Sequence, residues 1–265
     1  MEYLTEKEIH VLGLQRTGQH GVISWIIGHF NNPLFKNGMT SDNDKGNRCL
    51  MDGDWWDFNL TDRPDFTWKT QSKANIGHDA IILGTEYLWN KLPLNSRLEV
   101  ERDRVAKELN CESFSRDKRY VMVLRSPYNQ LASWMKWKGT FGFAKRFASC
   151  WKVFAKEFVG ETDTLPCPKI FLNYDKWFSD ESYRRIISGQ LGVPFSDKGL
   201  NIVMRIGRGK VYGSSFDKMN HKQTAQSMNV TERWRDYQGD DFFLNVMSDP
   251  ELRRLSEQIF GEFPF

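Results

Sequence analysis

The sequence lacks the features that mark membrane, secreted and zinc-binding proteins. No apolar run reaches the roughly 18 residues of a membrane span, and the N-terminus, MEYLTEKEIH, has no apolar signal core. The four cysteines, Cys49, Cys111, Cys150 and Cys167, are scattered without a CxxC pair. We therefore expect a cytoplasmic protein with reduced thiols, no zinc site and no membrane partner.

A strong excess of charge, an internal repeat and a low-complexity run are also missing. The formal net charge is only +3 and there is no basic stripe, so we expect no nucleic-acid partner. Hydrophobic residues make up 40% of the 265 residues, which is enough to fill a core. We predict a single domain over residues 1–265, present as a monomer or a homodimer.

Short apolar strands alternate with helical segments along the chain. Strands are predicted at residues 9–14, 80–83, 119–124 and 169–173, and helices at 22–30, 98–109, 127–138, 141–159, 182–191 and 250–260. This alternation predicts an α/β fold with a central parallel sheet flanked by helices. Because ligands of such sheets bind at the carboxyl ends of the strands, the loops after Leu14, Leu124 and Asn173 should converge on one site.

The first predicted strand leads into a loop that is typical of phosphate binding. Gly13 and Gly18 keep the GxxxxG spacing of a P-loop, and the helix behind them adds positive charge at its N-terminus. Gln19 and His20 stand where an NTPase has the Lys and Ser/Thr that bind a magnesium triphosphate. Arg16 places a cation inside the loop instead. The loop therefore predicts an anion held without metal, and a ligand-free strand–turn–helix is the alternative.

A second strand–loop–helix carries an arginine and a serine at a suggestive spacing. In YVMVLRSPYNQLASWMKW, Arg125 ends the strand, Pro127 suits the first helical turn, and Ser133 follows about two turns later. A guanidinium and a hydroxyl so placed could grip one phosphate. Taken alone, a surface arginine and an ordinary helical serine explain these two residues better.

Together, these two loops resemble those of the sulfotransferases that use 3′-phosphoadenosine 5′-phosphosulfate (PAPS). QRTGQHG, residues 15–21, is similar to the family's PKSGTTW loop for the 5′-phosphosulfate, with Arg16 in the place of lysine. LRSPYNQLAS, residues 124–133, is similar to its 3′-phosphate motif, with Ser126 in the place of aspartate. The resemblance implies a P-loop NTPase-like fold, PAPS as co-substrate and no bound metal.

Three further segments extend the resemblance in the family's order. FLNYDKWF, residues 171–178, resembles a strand ending in YEDL and implies that Tyr174 lies near the adenine. GSSFDKM, residues 213–219, resembles TSFxxM and implies that Ser214 and Phe216 hold the adenine. TERWRDY, residues 231–237, stands for a late basic segment, with Arg233 or Arg235 at the 3′-phosphate.

The family's adenine-stacking tryptophan falls at Gly21 here, so that stack is lost or supplied from elsewhere in the chain, with Trp25, one turn further along the helix, and Trp55 or Trp56 as the candidates. The full set of residues that the resemblance assigns to the nucleotide is Gln15, Arg16, Thr17, Gly18, Gln19, His20, Gly21, Arg125, Ser133, Tyr174, Ser214, Phe216 and Arg233.

The resemblance also implies the chemistry. A nucleophile of the acceptor attacks sulfur in line, and adenosine 3′,5′-bisphosphate leaves. Negative charge grows on the bridging oxygen, where Arg16 and the loop amides can stabilise it as preorganised donors. Arg16 is therefore a catalytic candidate.

A hydroxyl acceptor also needs a base near neutral pH, and histidine suits this role. His78 precedes a strand, in a place similar to that of the family's catalytic histidine, and is the first candidate; His221 is the second. His20 lies in the anion loop and more readily donates a hydrogen bond to the sulfonate. His10, in the first strand, and His29, at the end of the first helix, are interpreted as structural.

Residues 31–75 are polar and aromatic without a periodic pattern, and a long segment of this kind is usually functional. We interpret them as an irregular insertion on the acceptor side. Asp54, Trp55 and Trp56 are candidate substrate-binding residues, because carboxylates beside indoles suit a cationic small molecule such as a basic secondary metabolite. A surface loop anchored by a tryptophan explains the same run equally well.

Two other functions stay open. A P-loop nucleotide kinase or NTPase would need an acidic magnesium ligand ending a strand, and the strand at 119–124 ends in Arg125 instead. A catalytically silent nucleotide-binding relative would keep the fold and lose turnover, and the exchange of lysine for Arg16 leaves room for this.

Overall fold

The sheet is the frame of the fold. The computed structural model describes residues 5–40, 55–57, 69–70, 79–87, 103, 115–138, 141–166, 168–201 and 230–264. Within these ranges the strands are β1 (Lys7–Leu14), β2 (Pro33–Thr40), β3 (Trp55–Asp57), β4 (Lys69–Thr70), β5 (Ala80–Tyr87), β6 (Asp117–Leu124) and β7 (Lys169–Asn173). Their order is β4-β3-β2-β5-β1-β6-β7.

The five strands from β2 to β7 in this order pair in parallel, and β3 and β4 add antiparallel pairing at one edge. The predicted central parallel sheet is therefore confirmed. The central strand β1 is enclosed on both sides, since Ile9, Val11 and Leu12 are fully buried. A parallel sheet needs such cover because both of its faces are apolar.

The helices alternate with the strands as predicted. In the described ranges they are α1 (Gln19–Ile27), α2 (Pro127–Lys138), α3 (Phe141–Phe158), α4 (Tyr174–Ser179), α5 (Glu181–Leu191), α6 (Asp241–Met247) and α7 (Pro250–Phe260), with a 3-10 helix at Arg233–Tyr237. Capping residues mark several ends. Asp180 accepts from the amide of Ser182 at the start of α5, and Gly192 ends α5 at a φ of 68°.

Two apolar cores lie on opposite faces of the sheet. Leu12 of β1 joins the core formed with α2, α3, α6 and α7, whereas its neighbour Val11 joins the core formed with α1, α4 and α5. This alternation follows from the period of two along a strand. None of the described helices combines the length and the apolar character needed to cross a bilayer.

The prediction of an irregular segment at 31–75 is wrong for part of that range. Strand β2 pairs in parallel with β5, with Leu34 opposite Ile81, and its register shifts between Lys36 and Met39. The residues between them, Asn37 and Gly38, are poor strand formers and hide the pattern in the sequence. The short strands β3 and β4 also lie in the range, and its remaining residues, 41–54, 58–68 and 71–75, lie outside the described part.

One predicted helix differs from the structure at its start, and another lies almost entirely outside the described residues. Helix α1 begins at Gln19, three residues before the predicted start, because Gly18 takes the N-cap position with a φ of 87° and the helix grows directly from the polar loop. The predicted helix at 98–109 lies outside the described residues except for Asp103, which is helical.

Candidate anion-binding site

The loops after β1, β6 and β7 meet at the carboxyl ends of these strands. Arg16, after β1, donates from Nε to the Ser133 hydroxyl of α2 at 3.1 Å. Arg125, after β6, donates from Nη1 to the Arg16 carbonyl oxygen at 3.2 Å. The Arg125 guanidinium also lies over the ring of Tyr174, after β7, at 5.3 Å from the ring centroid. The predicted convergence of the three loops is confirmed.

The loop after β1 takes a tight left-handed path. Arg16 has a φ of 65°, a conformation that is rare outside glycine and costs about 1–2 kcal/mol. The Thr17 amide donates to the Leu14 carbonyl at 3.2 Å and closes the turn. Gly18 has a φ of 87°, and a Cβ there would lie 2.2 Å from the Tyr174 ring. A side chain at position 18 is therefore excluded both by backbone strain and by contact.

The interior of this loop holds polar groups that can take a ligand. The Thr17 side chain is fully buried, and its hydroxyl has no hydrogen-bond partner. The amides of Gly18 and Gln19 have no acceptor within the described part of the chain, as is usual at a helix N-terminus. Amides and a hydroxyl at the positive end of α1 are suited to an anion. The loop therefore fits the phosphate-binding role predicted for it.

Two guanidinium groups bind Ser133, and a third, that of Arg125, lies close to them. Arg233 of the 3-10 helix donates from Nη1 to the Ser133 hydroxyl at 3.1 Å, so that this one oxygen accepts from both Arg16 and Arg233. The pKa of Arg233 is lowered to about 10. Burial is the largest cause, and the nearby charges of Arg125 and Arg16 are the next. Like charges held together in this way favour the arrival of an anion.

Arg125 is the most enclosed of the three arginines, with only 2% of its surface exposed. It donates to the Arg16 carbonyl and, from Nη2, to the Val230 carbonyl, which joins the first loop to the start of the last described segment. Burial lowers the pKa of its guanidinium, whereas Tyr174 and Asp175 act in the opposite direction. Arg125 therefore contributes to the positive potential and also holds two segments together.

Asp175 is a charged residue of the site that the sequence analysis missed. Its carboxylate accepts from the Ser126 amide at 3.1 Å, directly after Arg125. Burial raises the pKa of Asp175, and the charge of Arg125 counteracts part of that rise. The signal was present in the sequence, since Asp175 follows Tyr174, the first residue after the strand predicted at 169–173.

Three further side chains bind the backbone of the two loops. Gln130 and Trp134 of α2 both donate to the Gln15 carbonyl oxygen, at 2.8 and 2.7 Å. Trp151 of α3 donates to the Arg125 carbonyl at 2.9 Å. The first two share a helix face with Ser133, at i, i+3 and i+4, and this spacing is the signal that could have identified them.

Of the two arginines left open in the late basic segment, the structure brings Arg233 to Ser133. Arg235 is 59% exposed at its side chain and pairs with Glu232 at 3.4 Å. The place of the family's adenine-stacking tryptophan is Gly21, where an added Cβ would meet the ring of Trp177 at 3.5 Å. This is an ordinary van der Waals distance, so Trp177 does not block a side chain at this position. Trp25, a candidate for the missing stack, is fully buried and donates to Asp197.

The histidines divide as expected where they are described. His10 is fully buried, with Nε2 at 2.7 Å from the Glu8 carboxylate, and His29 is bound through Nε2 to Ser188 at 3.0 Å. Burial lowers the pKa of His29. Both are structural. His20 is half-buried in the first turn of α1, beside the loop.

Several predicted site residues have side chains outside the described part of the chain. His78, His221, Ser214, Phe216 and Asp54 lie outside the described residues, and Trp55 and Trp56 belong to β3 with side chains outside the described part. Their roles stay predictions. Among the residues that are described, no group of three or more His, Cys, Asp or Glu side chains is placed to hold a metal ion.

Comparisons with known proteins give a likeness of fold only. No protein-family model and no curated protein matches the chain. Among solved structures, the sulfotransferase domain from the Synechococcus PCC 7002 olefin synthase matches with a TM-score of 0.44 and 15% identity, over 70% of this chain and 60% of that chain.

The sulfotransferase domain from the curacin biosynthetic pathway matches with a TM-score of 0.42 and 14% identity, over 70% of this chain and 64% of that one. The chain thus spans 60–64% of the length of these two domains. At these scores the likeness says nothing about activity, which has to be inferred from the residues of the site.

Proposed function

We propose that the protein is a PAPS-dependent sulfotransferase that moves a sulfuryl group to a hydroxyl or amine of a small molecule. One observation carries the proposal: Arg16 and Arg233 both donate to Ser133 and Arg125 donates to the Arg16 carbonyl, beside a loop whose Thr17 hydroxyl is buried without a hydrogen-bond partner. Two adjacent sets of anion-binding groups suit a ligand with an anionic group at each end. A doubly phosphorylated nucleoside is such a ligand.

Each set would bind one end of the nucleotide. Thr17, Gly18 and Gln19 would hold the 5′-phosphosulfate through the hydroxyl and amides described above, together with Gln15, His20 and Gly21. Arg125, Ser133 and Arg233 would hold the 3′-phosphate through charge-assisted hydrogen bonds. Tyr174 would contact the adenine, with Ser214 and Phe216 as the other proposed partners.

PAPS supplies an activated sulfuryl group, which the acceptor takes up as adenosine 3′,5′-bisphosphate and a proton are released. Arg16 belongs to both sets, because its backbone lies in the loop and its side chain reaches Ser133. It would stabilise the negative charge that grows on the oxygen bridging phosphorus and sulfur at the 5′ end of the nucleotide. His78 is proposed as the base that takes the acceptor proton.

The acceptor is proposed to be a small molecule, with a cationic secondary metabolite as the first class to test. Asp54, Trp55 and Trp56 would receive it through charge pairing and cation–π contact. The proposal needs no bound metal.

Isothermal titration calorimetry on the purified chain tests nucleotide binding. We expect adenosine 3′,5′-bisphosphate to bind about 10- to 100-fold more tightly than 5′-AMP, since the latter lacks the group that the arginines bind. EDTA should not change either affinity. Equal affinity for the two nucleotides would overturn the proposal, and binding that requires Mg²⁺ and ATP would indicate a P-loop kinase or NTPase.

A screen of hydroxyl- and amine-bearing acceptors with labelled PAPS tests transfer. Labelled product that depends on Arg16 would support the enzyme. Tight binding of adenosine 3′,5′-bisphosphate without transfer to any acceptor would instead indicate a catalytically silent relative.

A further inference from the structure

The carbonyl oxygen of Gln15 is held by two side chains of helix α2. Gln130 donates from Nε2 at 2.8 Å and Trp134 donates from Nε1 at 2.7 Å. Gln130 is fully buried and Trp134 is 6% exposed, so water competes little for these bonds. A carbonyl oxygen has two lone pairs, and here both have a protein donor.

Holding this carbonyl restricts the residue that follows it. The peptide group is planar and trans, so a fixed C=O direction at Gln15 also fixes the direction of the Arg16 amide. The peptide after Arg16 is held as well, because the Arg16 carbonyl accepts from Arg125 at 3.2 Å. Arg16 is therefore bound on both sides while it takes its φ of 65°. Strained conformations of this kind persist only where the surroundings impose them.

Helix α2 also contacts the side chain of the same residue. The Arg16 Nε donates to Ser133, which lies between Gln130 and Trp134 on one helix face. One face of α2 thus binds both the peptide before Arg16 and its guanidinium. An ordinary core glutamine and tryptophan would not need their polar atoms to meet on one backbone oxygen of an anion loop.

We propose that Gln130 and Trp134 are positioning residues, which hold Arg16 in its left-handed conformation and so direct its guanidinium toward the bound anion. Neither residue is assigned a contact with the ligand. The part of this inference that concerns the ligand rests on the proposed function, whereas the part that concerns the loop does not.

The test uses the full chain with Trp134→Phe, which keeps an aromatic ring without the N–H, and Gln130→Met, which keeps the volume without the donor. The matched control is Trp25→Phe. Trp25 is also a buried indole with an engaged N–H, donating to Asp197 at 2.9 Å, but its bond lies away from the loop. A purely structural role would make all three variants alike.

Two measurements are made on each variant, beside the melting temperature. The first is hydrogen–deuterium exchange of residues 15–20 without ligand, and the second is the Kd for adenosine 3′,5′-bisphosphate. We expect faster exchange and about five- to tenfold weaker binding in Trp134→Phe and Gln130→Met. In Trp25→Phe we expect a lower melting temperature with the exchange and the Kd of the wild type.

Unchanged exchange in both α2 variants, or an unchanged Kd, would overturn the inference. A wild-type chain that does not bind the nucleotide would contradict the proposed function instead, and loop exchange alone would then decide whether Gln130 and Trp134 position Arg16. If Trp134→Phe does not fold, Gln130→Met decides in the same way.

Discussion

At the scale of single residues, Arg16 combines a strained backbone in the proposed 5′-phosphosulfate loop with a side chain that binds Ser133 of the proposed 3′-phosphate site. Replacing it by alanine removes the charge, and we expect turnover to fall by at least about 10²–10³, the usual cost of losing a preorganised donor. Arg16→Lys keeps the charge but not the planar donor geometry, so an intermediate loss is expected. Steady-state transfer from labelled PAPS measures both.

Arg235→Ala is the control for this prediction. Arg235 is exposed and pairs with Glu232 on the 3-10 helix that also carries Arg233. We expect its turnover to equal that of the wild type. If Arg16→Ala were as active as this control, Arg16 would have no role in the transfer step.

Asp175 leads to a prediction in the opposite direction. Its buried carboxylate lies near Arg125 and offsets part of the positive potential, while Asn would keep the oxygen that accepts from Ser126. We therefore expect Asp175→Asn to bind adenosine 3′,5′-bisphosphate about three- to tenfold more tightly at neutral pH. Calorimetry measures the two Kd values.

The pH dependence gives a second check on Asp175. Because burial raises the pKa of this carboxyl, wild type should lose its negative charge as the pH falls, and its affinity should then approach that of Asp175→Asn. Asp236→Asn, at an exposed position beside Arg233, should change the affinity much less. Weaker binding by Asp175→Asn would mean that its charge is needed to hold Arg125 in place.

Residue types also decide how much of the site is predictable. Arg16, Arg125 and Ser133 follow recognisable strands at fixed offsets, so the sequence predicts that they lie close together. Gln130 and Trp134 act on a backbone carbonyl, and a backbone acceptor is present at every residue whatever the sequence. Their role depends on which carbonyl the fold brings within their reach, and the sequence does not indicate this.

At the scale of elements, the turn between α3 and β7 depends on one buried carboxylate. Glu157 accepts from Thr162, from the amides of Thr164 and Leu165, and from Lys169. Burial alone would raise the pKa of Glu157, but these hydrogen bonds outweigh it and lower the pKa to about 2. The carboxylate is thus strongly preferred in the folded state.

A carboxyl group whose pKa is lower in the folded state than in the unfolded state stabilises the fold at pH values above its unfolded-state pKa. This stabilisation is lost as the pH falls toward its folded-state pKa. We expect the free energy of unfolding to decrease between pH 4.5 and about 2 by at most about 3 kcal/mol on account of Glu157. Glu157→Gln should be less stable at neutral pH and lack this part of the decrease. Urea unfolding across the pH range measures it.

Glu161→Gln provides the matched control at the same turn. Glu161 forms a more exposed ion pair with Arg254 at 2.8 Å, and such pairs contribute about 1 kcal/mol or less. Its pH profile should follow the wild type. A Glu157→Gln variant with the wild-type profile would show that the bonds to Thr162 and Thr164 do not depend on the charge.

Strands differ in how well they could be predicted, for a physical reason. β1, β6 and β7 are buried between helices and read as apolar runs, so each was recognised close to its observed bounds. β2 is interrupted by Asn37 and Gly38 at a shift of register, and β3 and β4 are two or three residues long. Their pairing with neighbouring strands, which is not local in sequence, stabilises them.

At the scale of the whole molecule, the alternation of strands and helices was enough to predict a parallel sheet and the edge where the loops after β1, β6 and β7 meet. The partner of Ser133 on the 3-10 helix was not predictable from alternation. Arg233 lies 100 residues further along the chain, and only the resemblance to a known family suggested that its segment returns to the site.

The 100 residues between Ser133 and Arg233 also determine at which stage of synthesis the site is complete. Chains emerge from the ribosome N-terminal end first, and β1, β6 and β7 can pair before residue 233 has been synthesised. A nascent chain that has not yet reached residue 233 would therefore carry a formed sheet with the proposed phosphate site incomplete, and the proposed nucleotide would stabilise the fold only after that segment has been synthesised.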